Sequence, residues 1–206
     1  MSVPSIFETK RALEPYHSLI RAIIDEAWAE WRAVQRFREE QGFGPALYSR
    51  TVSNYMFDAI ARRAIPRLGA QASIMLLIDA QSFKAHINGI LIRVKKGGED
   101  QLGCNWPTQM ALAFEDADGQ FPGLPPETSK VEIIWLPNEI WTQVEQVLVV
   151  ARDGDELLWQ YEIPPNAGAG AGAVEPMPPK PINPDGAGGS DLVKPKVAKA
   201  KKQSKS

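Results

Sequence analysis

Asn88-Gly89 lies between two short apolar-alternating segments and fixes which cationic side chains share a surface. A type I′ turn needs positive φ at both central positions, which this dipeptide supplies best. A two-residue loop pairs Ile87 with Ile90, Ala85 with Ile92 and Phe83 with Val94, all apolar and on one face. The same register pairs His86 with Leu91, Lys84 with Arg93 and Ser82 with Lys95 on the other face. Lys84, His86, Arg93 and Lys95 therefore gather on one side of a short ribbon, with Lys96 just beyond. Like charges directly opposite each other in a sheet repel. A carboxylate (Asp79, Glu99, Asp100 or a helix acid), plain solvent, or an external anion must offset them. The last option is a binding chemistry, for nucleic acid or an acidic protein, and its affinity would fall with salt. Asn105, Thr108 and Gln109, in a polar turn around Trp106 and Pro107, could add hydrogen-bonding groups beside that face; otherwise the turn caps a short helix and buries Trp106.

Other chemistries fail by counting. Two histidines, His17 and His86, and one cysteine cannot build a Cys/His zinc site. Cys104 with His86 could form a nucleophile–base pair, but a structural thiol is the simpler reading. Gly97-Gly98 follows a strand without the Gly-Lys-Ser/Thr ending of a phosphate loop. No metal or cofactor is expected, and the balance favours a non-enzymatic binding module. Among the tryptophans, Trp31, Trp135 and Trp159 fit core packing. Trp28 and Trp141 are the candidates for exposed interface aromatics, whether in a homodimer, a complex or a base-stacking platform.

The elements that must hold these residues are legible from periodicity. Residues 15–41 carry Tyr16, Leu19, Ile20, Ile23, Ala27, Trp31 and Val34 at helical spacing, and Gly42, Gly44 and Pro45 stop the helix. A second helix spans about 49–64, capped by Ser49 or Thr51 and ended by Pro66. The period then changes to two. Residues 73–78 read as a buried strand, 82–87 and 90–95 as the hairpin, and 131–136, 144–152 and 156–163 as three further strands. Asp153-Gly154 is a second hairpin signal. The fold class is α+β: an N-terminal helical hairpin packed on a mostly antiparallel sheet of about six strands. Residues 1–14 form an N-terminal arm and 15–164 a single domain.

Residues 165–206 are rich in Pro, Gly and Ala, nearly devoid of large apolar side chains, and are expected to be disordered. The tail holds seven lysines against three acids, a charge of +4, so the chain's net −2 leaves −6 on the remainder. It could attract nucleic acid or an acidic protein, or act only as a solubilising end. The single cysteine, the missing secretory signal and the absence of a membrane-length apolar run imply a cytoplasmic protein.

Two resemblances follow from motifs. A helix with Glu26 and Glu30, a strand ending in Asp79 and a later Arg93-Val-Lys95 resemble the restriction-endonuclease-like family over about 70 residues. That likeness implies a metal-dependent nuclease using Glu26, Asp79 and Lys95, although Arg93 stands where the family places a second acid. Leu91-Ile-Arg-Val-Lys-Lys96, then Asn105-Trp-Pro-Thr-Gln109, then Val149-Val-Ala-Arg-Asp-Gly154 are similar to uncharacterised bacterial proteins, some encoded in prophage or other mobile regions. This second likeness implies an accessory protein working beside a toxin–antitoxin or phage-related partner.

Overall fold

The computed structural model describes residues 5–46, 48–79, 82–98, 100–103, 114 and 123–166, all within one compact unit, Met1–Gly170. Helix α1 (Ile6–Leu13) leads through a 3-10 turn (Glu14–Tyr16) into α2 (His17–Glu40), and α3 (Ser49–Gly69) runs back. Six strands follow: β1 (Ile74–Ile78), β2 (Phe83–Ile87), β3 (Ile90–Lys96), β4 (Ser129–Pro137), β5 (Val144–Asp153) and β6 (Glu156–Glu162). They form one sheet in chain order, antiparallel except where β3 and β4 run parallel. A parallel pair needs a long crossover, here residues 97–128. This is the α+β arrangement read from the sequence.

Alternation divides each strand between two faces. Ile87, Ile92, Ile133, Trp135, Val147 and Val149 meet the helices, where Ile20, Ile24, Trp28, Trp31, Met56 and Ile60 complete the main core. The opposite face is also buried at its centre, by a smaller cluster of Leu102, Ile134, Leu148 and Val150. Both faces are therefore buried at the centres of β3, β4 and β5.

Helix ends follow local chemistry. After α2, Gly42 takes φ +71° while its N–H bonds Glu39 O and the Phe43 N–H bonds Arg38 O, the paired closure of a glycine C-cap. Helix α3 departs from the sequence reading twice. Neither Ser49 nor Thr51 caps it: the cap position is Tyr48, with no side-chain hydrogen bond. Pro66 does not end it either but lies inside it. The helix runs on to Gly69, and Ala70 N–H closes on Pro66 O at 3.2 Å.

The strands differ from the sequence pattern at two points. The turn between β5 and β6 centres on Gly154-Asp155, one residue later than the Asp153-Gly154 signal, since Asp153 itself pairs with Glu156. Residues 73–78 were expected to form a buried strand, yet β1 is the edge of the sheet and none of its five residues is buried.

Helices α2 and α3 are joined by an ion ladder. Glu30 accepts from Tyr55 Oη (2.5 Å), Arg62 (2.7 Å) and Arg63 (2.6 Å), and Glu26 from Arg67 (3.0 Å). Burial raises the Glu30 pKa, but the hydrogen bonds from Tyr55, Arg62 and Arg63 outweigh it and hold the carboxyl at about 2. A folded-state pKa below the unfolded value of 4.5 means that the contribution is complete above 4.5 and is lost as pH falls towards 2. Urea melts at pH 5 and pH 2.5 should therefore differ less in Glu30→Gln than in the wild type. An equal acid sensitivity in both would show that Glu30 is not the group responsible.

Candidate functional site

The Asn88-Gly89 turn forms as the sequence indicates. Asn88 has φ 49° and Gly89 φ 85°, and the register pairs Ile87 with Ile90, His86 with Leu91 and Ala85 with Ile92. Lys84, His86 and Arg93 are thereby placed on the face away from the helices, and alternation puts Lys95 there too.

Of the three ways left open to offset these charges, the chain's own carboxylates are the one found at Lys84 and Arg93. Lys84 is 5% exposed and Arg93 6% exposed. Across the parallel β3–β4 pair, Arg93 stands beside Glu132, which is fully buried. Arg93 Nε donates to Glu132 Oε1 at 2.8 Å, and a second guanidinium nitrogen reaches the same oxygen. The other carboxylate oxygen accepts from Gly103 N–H at 3.0 Å and lies 3.7 Å from Arg152 of β5. Phe114 closes over the Arg93 guanidinium, 4.1 Å from its ring centroid. Lys84 reaches Ser82 Oγ at 3.0 Å and Asp79 at 3.5 Å. Asp79 in turn accepts from the Ser82 backbone (2.7 Å) and hydroxyl (2.6 Å). Buried charges need such partners, since an unpaired one costs several kcal/mol. The hairpin cations thus have a structural explanation: Arg93 is held by Glu132 and covered by Phe114, and Lys84 ties to Asp79 and Ser82 beside the β1–β2 turn.

The other expected contact residues do not assemble into one surface. His86 is half-buried, with Nε2 3.4 Å from Thr128 Oγ1, and Lys95 is half-buried. Lys96 turns to the opposite face, its ammonium 4.6 Å over the Trp141 ring. Asn105, Thr108, Gln109 and Cys104 lie outside the described residues, as does the tail from 167. Trp28, expected as an exposed aromatic, is 5% exposed and donates its indole N–H to Thr142 O at 3.2 Å. Trp141 is half-buried beside it, with centroids 6.4 Å apart.

Nor does the nuclease set converge. Glu26 sits in the helical layer, bound by Arg67 and Arg63 of α3. Asp79 holds Ser82 and Lys84, and Lys95 lies on the face away from the helices that carry Glu26. Among the described residues, no cluster of three or more His, Cys, Asp or Glu could hold a metal. The chain matches no family model, and neither a curated protein nor a solved structure matches it.

One feature was missed at the sequence level: the free edge of β1. Asp79 N–H bonds Ser82 O at 2.9 Å, and β1 pairs Ile78 with Phe83. Residue 79 is thus hydrogen-bonded to the β2 side, and so by alternation are Leu77 and Met75. Ile74, Leu76 and Ile78 aim their backbone groups outward. No other described strand pairs there. Met75 is 44% and Ile78 57% exposed. The signal was present in residues 68–78, eleven positions without a charge.

Proposed function

We propose that this chain is a non-enzymatic interaction protein that joins another polypeptide by adding a strand to β1. One observation carries the reading. Ile74–Ile78 has the wholly apolar composition of a central strand, yet it occupies an edge position with none of its residues buried. Edge strands offer a row of unpaired backbone groups, and proteins ordinarily blunt them with charge, proline or a bulge. β1 has none of these. The opposite edge, β6, carries Glu156 and Glu162 at its two ends. Main-chain hydrogen bonds to Leu76 and Ile78 would supply affinity, and the exposed side chains would supply selectivity.

This keeps the binding module and moves its surface. An acidic partner or nucleic acid at the hairpin face is not favoured, because Lys84 and Arg93 are buried among the chain's own groups. A bacterial accessory role beside a toxin–antitoxin or phage-related partner fits the reading and names the host in which to test it.

The test is differential capture with an exchange footprint. Wild type and Leu157→Lys, a control on the far edge, should retain the same protein from host extract, and Ile78→Lys should lose it. In the recovered complex, the amides of Leu76 and Ile78 should exchange more slowly. Capture indifferent to Ile78→Lys would remove β1 as the contact.

A further inference from the structure

We infer that the strand added to β1 is β1 of a second copy, running antiparallel about a twofold axis at Leu76. This rests on the reading of β1 as the contact edge and names its occupant. An isologous interface demands a surface complementary to itself. Ile74–Ile78 satisfies that demand residue by residue: Ile74 opposes Ile78 of the second copy, Met75 opposes Leu77, and Leu76 opposes its own equivalent. Every pair is apolar and shares a face. Ser73 then opposes Asp79, so the first charge reached meets a hydroxyl-bearing residue and not another acid.

The backbone fits as well. Leu76 would exchange two hydrogen bonds with its equivalent. Ile78 N–H would donate to Ile74 O, twice by symmetry. The Ile74 N–H is already bonded to Gln71 O at 3.0 Å and is not required. On the helix side, the approach is lined by Gly69, Ala70, Gln71 and Ala72, all exposed, uncharged and mostly small. Leu76 lies against Gly69, where a Cβ would come within 3.2 Å of its methyl.

Charge decides between the two edges. Self-pairing of β6 in the same manner would set Glu156 opposite Glu162 at both ends, and like charges across strands are unfavourable. Only β1 can meet itself without repulsion. The result is one continuous sheet across two copies. A contact of one strand pair and a short flanking segment sits at the small end of interface sizes, so weak, concentration-dependent association is expected.

Sedimentation velocity of the full chain from about 1 µM to several hundred µM tests the inference. Wild type should pass from monomer to dimer, and Ile78→Lys should remain monomeric; with Ile78 already 57% exposed, that change spares the core. Register is tested by mixing Met75→Cys with Leu77→Cys, each carrying Cys104→Ser. Directly opposed positions here are about 4.5 Å apart at Cα, within disulfide reach, whereas either variant alone presents only diagonal pairs beyond about 7 Å. Oxidation should cross-link the mixture and neither component. Wild type monomeric throughout, or a dimer indifferent to Ile78→Lys, overturns the second copy. If capture by wild type still depends on Ile78 in that event, the edge reading stands with a different occupant; if that dependence is lost too, both fall.

Discussion

Glu132→Ala should lower the stability of the domain by about 3–5 kcal/mol, the usual cost of stranding a buried charge. Glu132 is fully buried between Arg93 and Arg152, whose side chains are each 7% exposed. Both guanidiniums are drawn to its carboxylate, and Gly103 N–H caps one of its oxygens. Arg152 also holds Gly154 O at 2.6 Å and Asp155 at 3.2 Å. Urea unfolding of Glu132→Leu, Arg93→Met and the two combined, beside Glu132→Ala, separates the contributions. The pair should cost less than the sum of single changes, because the apolar replacements need no partners. A loss below about 1 kcal/mol in Glu132→Ala would mean that water reaches the cluster.

Trp135→Ala should cost a comparable amount, about 3–5 kcal/mol, through the cavity it opens. Trp135 is 2% exposed on the helix-facing side of β4 and meets Trp28 with centroids 6.0 Å apart. Trp28 continues the cluster to Trp141, and its indole N–H ties α2 to Thr142 O. Arg32 reaches Trp141 O in the same turn, at 3.4 Å. The substitution therefore loosens the link between α2 and the β4–β5 turn as well as the core. Trp141→Ala, at a half-buried ring, should cost distinctly less. Chemical denaturation followed by tryptophan fluorescence measures both, and equal losses would argue against a cavity centred on Trp135.

The parts of the fold that were legible in the sequence have local causes. The Asn88-Gly89 turn fixes its own register, so β2 and β3 could be paired residue by residue. The helical stripe from Leu19 to Val34 and the glycines after α2 marked that helix to within two residues. What stayed hidden is long-range. Nothing local states that residues 97–128 cross over to lay β4 parallel to β3, and so nothing pairs Arg93 with Glu132. The sequence left a carboxylate, solvent or an external anion open as partners for the cations, and Glu132, distant in sequence, was not among the acids it could name. A hint was available in β4: Glu132 is a lone acid among Val131, Ile133, Ile134 and Trp135, in a strand buried at its centre on both faces. For β1, an all-apolar pentapeptide fits a central strand or a sticky edge equally well, and only strand order distinguishes them.

Amide hydrogen exchange at single residues of β1 tests the central claim most directly. In dilute protein, Met75 and Leu77, bonded towards β2, should exchange slowly, and Leu76 and Ile78 quickly. With rising protein concentration the Leu76 and Ile78 amides should slow while their neighbours hardly change. If Leu76 and Ile78 are already protected at the lowest concentration, the edge is covered by the chain itself and has no partner to receive.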